Sequence, residues 1–141
     1  MPGTVTAEFP ASAADELIAA RQANMAAQSS LIDDIMMAIG ADADITQFKD
    51  AGDAMAALGE AIPDLFAAGT EIGHETRALP RVWSDRTGFE KYAADLVSAA
   101  QSMAKAAAAD QRPAFVKAYR ATFSACSGCH FTYRGDRVRT P

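Results

Sequence analysis

Two thiols and an imidazole near the C-terminus, in the run Cys126-Ser127-Gly128-Cys129-His130, set the chemistry that this chain could perform. Cysteines three residues apart on a helical turn reach the two vinyl groups along one edge of a porphyrin. An imidazole on the next residue then projects beneath the ring toward the iron. That spacing is the attachment pattern of a c-type haem, and Ser127 and Gly128 are small enough to let the ring approach the backbone. Two other chemistries use similar residues. A redox or disulfide pair shares the CxxC spacing but usually sits at a helix start, where the dipole lowers one thiol's pKa. A structural zinc ion takes four ligands, and beyond Cys126, Cys129 and His130 only His74 offers a further soft donor.

The elements that must position these residues read as helices. Half of the 141 residues are apolar but only 8% are aromatic, and alanine fills whole stretches such as 106–109, which favours closely packed helices over sheets. Alternating runs of Val, Ile, Thr and Tyr are missing. The first helix is predicted to open at Ser12, with Asp15 three residues on, and to run through Leu17, Ile18, Met25, Ile32, Ile35, Met36 and Ile39 to a stop at Gly40. The second carries Phe48, Ala51, Met55, Leu58 and Ile62 at steps of three and four before Pro63 disturbs it. Residues 67–83 contain Gly69, Gly73 and Pro80 and read as a long connection with a possible turn of helix, long enough to cover a functional site. A third helix follows with Phe89, Ala93, Leu96, Ala100, Met103 and Ala107. The fourth starts with Asp110 as N-cap and Pro113 in its first turn. It continues through Phe115, Tyr119, Thr122 or Phe123, Cys126, His130 and Tyr133. Four such segments predict an all-α, antiparallel four-helix bundle with the haem near the C-terminal helix, in one domain spanning 1–141 with an N-terminal extension of about 1–12.

A net charge of -5 argues against binding nucleic acid or an anionic membrane surface. Arg134, Arg137 and Arg139 form a local exception, readable either as a solvated helix end whose cations suit the dipole or as a docking surface. No apolar run approaches the ~20 residues that span a bilayer. Residues 1–10 lack the basic start and apolar core of a secretory signal, so an export signal is taken to have been removed.

The segment from Cys126 to Arg134 resembles the class II c-type cytochromes, the group of cytochrome c prime and its low-spin, methionine-ligated relatives. These place Tyr or Phe three residues after the haem histidine and Arg just beyond. Further matches are Arg21-Gln22-Ala23-Asn24-Met25, Leu65-Phe66-Ala67-Ala68-Gly69-Thr70, and Ala78-Leu79-Pro80 with Trp83 and Phe89, so the resemblance covers roughly 14–134. It implies one covalently attached haem c, with Cys126 and Cys129 as attachment points and His130 as the proximal ligand. Met25 falls where the family faces the distal side of the iron, Arg134 one helical turn beyond His130 where it could cover the imidazole, and Arg21 on nearly the same face as Met25 where it could meet a haem propionate. The plainer alternatives are core packing for Met25 and solvation for both arginines.

Function turns on Met25. If its thioether bonds to iron, the metal is six-coordinate and low-spin and suits periplasmic electron transfer to a redox partner protein, which is the expected role. The alternative is a five-coordinate protein whose crowded apolar pocket admits nitric oxide or carbon monoxide, while anions enter poorly because nothing offsets their desolvation. No distal acid or base stands near Met25, so the chain is not expected to be an enzyme. The resemblance also implies a homodimer through the first two helices and a periplasmic location. Two departures from the family are the longer N-terminus and Ser127 between the cysteines. His74 is not a ligand that the family uses.

Overall fold

The computed structural model describes residues 11–136 apart from residue 74. The extension read over 1–12 therefore falls almost wholly outside the described residues, as do His74, Arg137, Arg139 and the capping side chain of Ser12. Helix α1 (Ala11–Gly40) is already formed at Ala11. Its buried positions Ala14, Ile18, Arg21, Asn24, Gln28, Ile35 and Ala38 recur mostly at steps of three and four, so a stripe of this long helix faces the bundle. The stripe is apolar at both ends and polar in the middle. Met36, predicted on the buried face, is instead 49% exposed because it lies one residue off that stripe.

A 3-10 turn (Ile45–Phe48) is capped by Asp44, whose carboxylate accepts the Thr46 N–H at 3.0 Å. It leads into α2 (Lys49–Leu65). Pro63 does not end this helix, which continues for two residues, and the loosened end is held from outside. Arg86 donates to Pro63 O at 2.6 Å and Phe66 O at 2.7 Å, and Trp83 Nε1 donates to Phe66 O at 3.0 Å. Gly52 and Gly59 let α2 press against α4 (Arg86–Ala108). A Cβ built on Gly52 would lie 2.8 Å from the backbone nitrogen of Ala104, closer than real contacts allow. Alanines dominate the buried face of α4, which packs against both α2 and α5 (Arg112–Tyr133).

The predicted N-cap of α5 moves by one residue. Asp110 has a left-handed backbone (φ 53°) that closes the end of α4, and Gln111 is the cap residue, with no side-chain cap bond. Along α5 the choice between Thr122 and Phe123 resolves to Thr122, fully buried with its hydroxyl donating to Ala118 O at 2.8 Å, while Phe123 is half exposed. The long connection ends in the short α3 (Arg81–Ser84) and is clamped to the chain leaving α5. Leu79 N–H donates to Tyr133 O at 2.8 Å and Gly135 N–H to Arg77 O at 2.7 Å, around an isolated antiparallel bridge between Ala78 and Arg134.

Among the described residues, four long helices and one short one thus form an all-α bundle with two apolar clusters. One, around Ile35, Ile45, Met103 and Phe115, closes the end distant from the cysteines. The other, around Met55, Ile62, Phe66, Phe89, Leu96 and Tyr133, backs onto the cysteine motif. Helices α1 and α5 approach one another only sparsely, and the space between them is the site.

Candidate functional site

The last two turns of α5 carry Cys126, Cys129 and His130, all half-buried. Spacing alone puts the thiols one turn apart on a common face, and the helix ends three residues after the imidazole. Arg134 is the C-cap rather than part of the helix, its backbone N–H donating to His130 O at 3.1 Å. A cavity of about 220 Å³ opens in front of these residues. Cys129, His130 and Tyr133 form one wall, Arg21 and Met25 of α1 the opposite wall, and Arg77 of the connection borders it. A smaller cavity of about 20 Å³ shares Met25, Cys129 and His130 and adds Cys126 and Gln28. All six residues singled out by sequence therefore line one or both cavities.

The electrostatics suit a neutral nitrogen donor and unreactive thiols. Burial lowers the pKa of His130, and the cationic Arg134 and Arg77 lower it further, so its imidazole stays uncharged and keeps a lone pair for a metal. Burial raises the thiol of Cys126, and burial together with its neighbour Cys126 pushes Cys129 up to about 11. A redox CxxC pair needs the opposite shift and a helix start, whereas these thiols are at a helix end. Among the described residues, which leave out His74, no three or more His, Cys, Asp or Glu converge to hold a bare metal ion. Two free thiols and an imidazole on one helix, facing a mostly apolar cavity, fit a porphyrin joined through sulfur. Ser127 is exposed, and Gly128 has a reason other than room for a ring. A Cβ there would meet Tyr92 Cε1 at 2.7 Å, so the glycine lets Tyr92 pack between the cysteines.

Tyr133, one turn beyond His130, locks three elements together. Its hydroxyl donates to Asp85 Oδ2 at 2.7 Å, its ring stacks edge-on with Phe89 at 5.5 Å and Tyr92 at 6.0 Å, and its carbonyl holds the connection. Burial, then the bond to Asp85 and its negative charge, push the phenol up to about 12. Alkaline titration followed by tyrosine absorbance is therefore expected to show one phenol ionising well above the usual ~10. Folding favours the neutral form, so this contribution to stability is whole below about pH 10 and is lost as pH rises through about 12. Tyr133→Phe should remove the late phase, and tyrosines that all titrate near the ordinary value would contradict the assignment.

Arg21 is 3% exposed. It donates to Thr70 Oγ1 at 2.8 Å, Thr70 O at 3.1 Å and Thr76 Oγ1 at 2.8 Å, with its guanidinium 4.5 Å from the Phe66 ring centroid. Sequence reasoning missed Asn24, Gln28, Arg77 and Tyr92. The first two were legible only as polar residues sharing the helical phase of Arg21 and Met25, while Arg77 and Tyr92 come from segments whose placement depends on the tertiary fold.

Comparison with known proteins gives the following. The family model described as Cytochrome C' matches residues 16–134. The chain is 37% identical over 82 residues to a cytochrome c' of Pararhodospirillum photometricum, covering 58% of this chain and 66% of that protein. It is 44% identical over 70 residues to that of Rubrivivax gelatinosus, covering 49% and 54%. The alignments thus span less than two thirds of either relative. Among solved structures, cytochrome c' from Thermochromatium tepidum superposes with a TM-score of 0.81 at 29% identity, covering 87% of this chain and 98% of that one. A cytochrome c' described by ligand-controlled dimer dissociation gives 0.80 at 25% identity, covering 87% and 97%. A nitric oxide complex of a cytochrome c prime variant from Alcaligenes xylosoxidans shares the fold, with a TM-score of 0.78 at 22% identity and coverage of 87% and 97%. These matches overturn the expected low-spin electron carrier with Met25 bonded to iron. They favour instead the alternative raised from the sequence, a five-coordinate haem protein. Met25 packs against the apolar cluster that backs the site.

Proposed function

Because the chain belongs to the cytochrome c' family, we propose that it binds small neutral gases, nitric oxide foremost, at a five-coordinate haem. Family membership gives it one covalently attached haem c and a non-catalytic role. We assign the two thioether bridges to Cys126 and Cys129 and the proximal bond to His130. When bound, the haem would supply an iron able to take up a diatomic ligand. The chain's own residues do the rest. His130 stays neutral beside Arg77 and Arg134, Met25 crowds the opposite wall, and the apolar lining offers little to offset the desolvation of an anion. Arg21 borders the same cavity, and its bonds to Thr70 and Thr76 support a role in holding the connection against it. Arg134 is assigned to the proximal side, where its charge already acts on the imidazole.

The observation that carries this reading is the family match over residues 16–134, on a chain whose mostly apolar cavity has Met25 across from His130. In correctly exported protein the ferric visible spectrum is expected to be high-spin and to keep that character in Met25→Ala, and the ferrous protein to take up nitric oxide. A methionine-to-iron charge-transfer band lost in Met25→Ala, or no uptake, would defeat it. Family members are periplasmic bacterial proteins, and we extend that location to this chain. We also infer a homodimer. An open groove between α1 and α2 lined by Ala27, Leu31, Ala54, Leu58 and Ala61, with Met36 and Met37 exposed on α1, supports it. Light scattering at several concentrations reads the same preparation for that assembly.

A further inference from the structure

We infer that Gln28 is a hydrogen-bonding contact for the diatomic ligand, so that the gas pocket is not purely apolar. The inference rests on the gas-binding reading above and adds a specificity-determining residue to it. Gln28 is 5% exposed and lines the smaller cavity together with Met25, Cys126, Cys129 and His130. A carboxamide placed there costs free energy unless its polar atoms are used. Part of that cost is met along α1. Gln28 Nε2 donates to Asn24 Oδ1 at 2.5 Å, and Asn24 Nδ2 donates to Leu58 O at 2.9 Å.

This chain of bonds fixes the amide rather than using it up. Nε2 carries two hydrogens and donates one to Asn24, while Oε1 is a further acceptor. The backbone carbonyl of Leu58 orients Asn24 and Asn24 orients Gln28, which leaves the second N–H of a residue in the cavity lining available to a ligand. Met25, one turn before Gln28, covers the same space with an apolar side chain. A neutral diatomic enters this pocket without losing a hydration shell. It gains partial negative charge once bound to ferrous iron, and that is when an amide N–H favours it. Tyr92 also brings a donor, its hydroxyl, to the cavity, but its ring is packed against Gly128 between the cysteines, on the α5 side.

The test uses ferrous holoprotein with carbon monoxide and nitric oxide as probes. Gln28→Met keeps length without the amide, and Gln28→Leu is a second apolar replacement. Both are expected to raise the infrared stretching frequency of the bound ligand and to speed nitric oxide dissociation about fivefold, the equivalent of one ordinary hydrogen bond. Exchange of the unaltered protein into deuterium oxide should also shift the stretch, and should still do so in Tyr92→Phe. If either Gln28 variant fails to take up haem, the deuterium shift decides. An unchanged stretch and dissociation rate in haem-loaded Gln28 variants, or a deuterium shift that is absent or vanishes in Tyr92→Phe, would overturn the role of Gln28 and leave gas binding intact. A native ferrous protein that takes up neither gas would overturn both.

Discussion

Replacing both cysteines, as Cys126→Ala/Cys129→Ala, is expected to abolish covalent haem retention altogether, while each single variant keeps the group through one bridge. The measurement is haem absorbance remaining with the polypeptide after extraction into acidified organic solvent. Wild type should retain all of it and the double variant none, although His130 can still bind haem reversibly before extraction. Cys129 lines the larger cavity and Cys126 the smaller one from α5, with Met25 of α1 on both, so loss of the group also removes what fills the space between two sparsely packed helices. The double variant should therefore melt early, with α1 exchanging its amides first. Haem that survives extraction from the double variant would remove the thiols from their assigned role.

Much of this arrangement was legible because it depends on local chemistry. The spacing of Cys126, Cys129 and His130 is a property of one helical turn, and the stop of α1 at Gly40 follows from its glycine. Errors arose where a residue's surroundings come from elsewhere in the chain. Pro63 reads as a disturbance of the second helix because its missing N–H is a local fact, while the donors that Arg86 and Trp83 bring to the carbonyls around it are not. Thr122 and Phe123 could not be separated by hydrophobicity, since a buried threonine satisfies its hydroxyl on its own helix and Phe123 falls outside the buried phase. Met25 shows the limit most directly. A thioether beside iron has the same residue type whether it bonds or only packs, and family membership rather than sequence spacing decided against a bond. The polar middle of α1 was hidden for a related reason. A search for apolar periodicity passes over Arg21, Asn24 and Gln28, although they occupy the same buried phase as Ile18 and Ile35.

Arg21→Ala follows from that hidden stripe and should be among the most destabilising single changes in the chain. The guanidinium is buried, donates to two threonines of the connection at 2.8 Å, and lies over Phe66 and, at 5.9 Å, Trp83. Burial lowers its pKa, an effect opposed by Glu71. Hydrogen bonds to a charged donor are worth roughly 1.5–3 kcal/mol each, and truncation also leaves Thr70 O without its donor. Against this stands the relief of no longer desolvating a cation, which is itself several kcal/mol. The balance is an expected loss of about 3 kcal/mol in urea unfolding, a large fraction of the ~5–15 kcal/mol typical of a domain. Arg21→Lys should recover little, because an ammonium cannot reproduce the fork that spans Thr70 and Thr76. The loss should be uneven. Amides of residues 67–79 ought to lose protection before those of α4 and α5, since Arg21 ties the connection to α1 while Tyr133 ties it to α5. A variant that unfolds at the wild-type urea midpoint would show that the two threonines and the ring contacts hold the connection without the arginine.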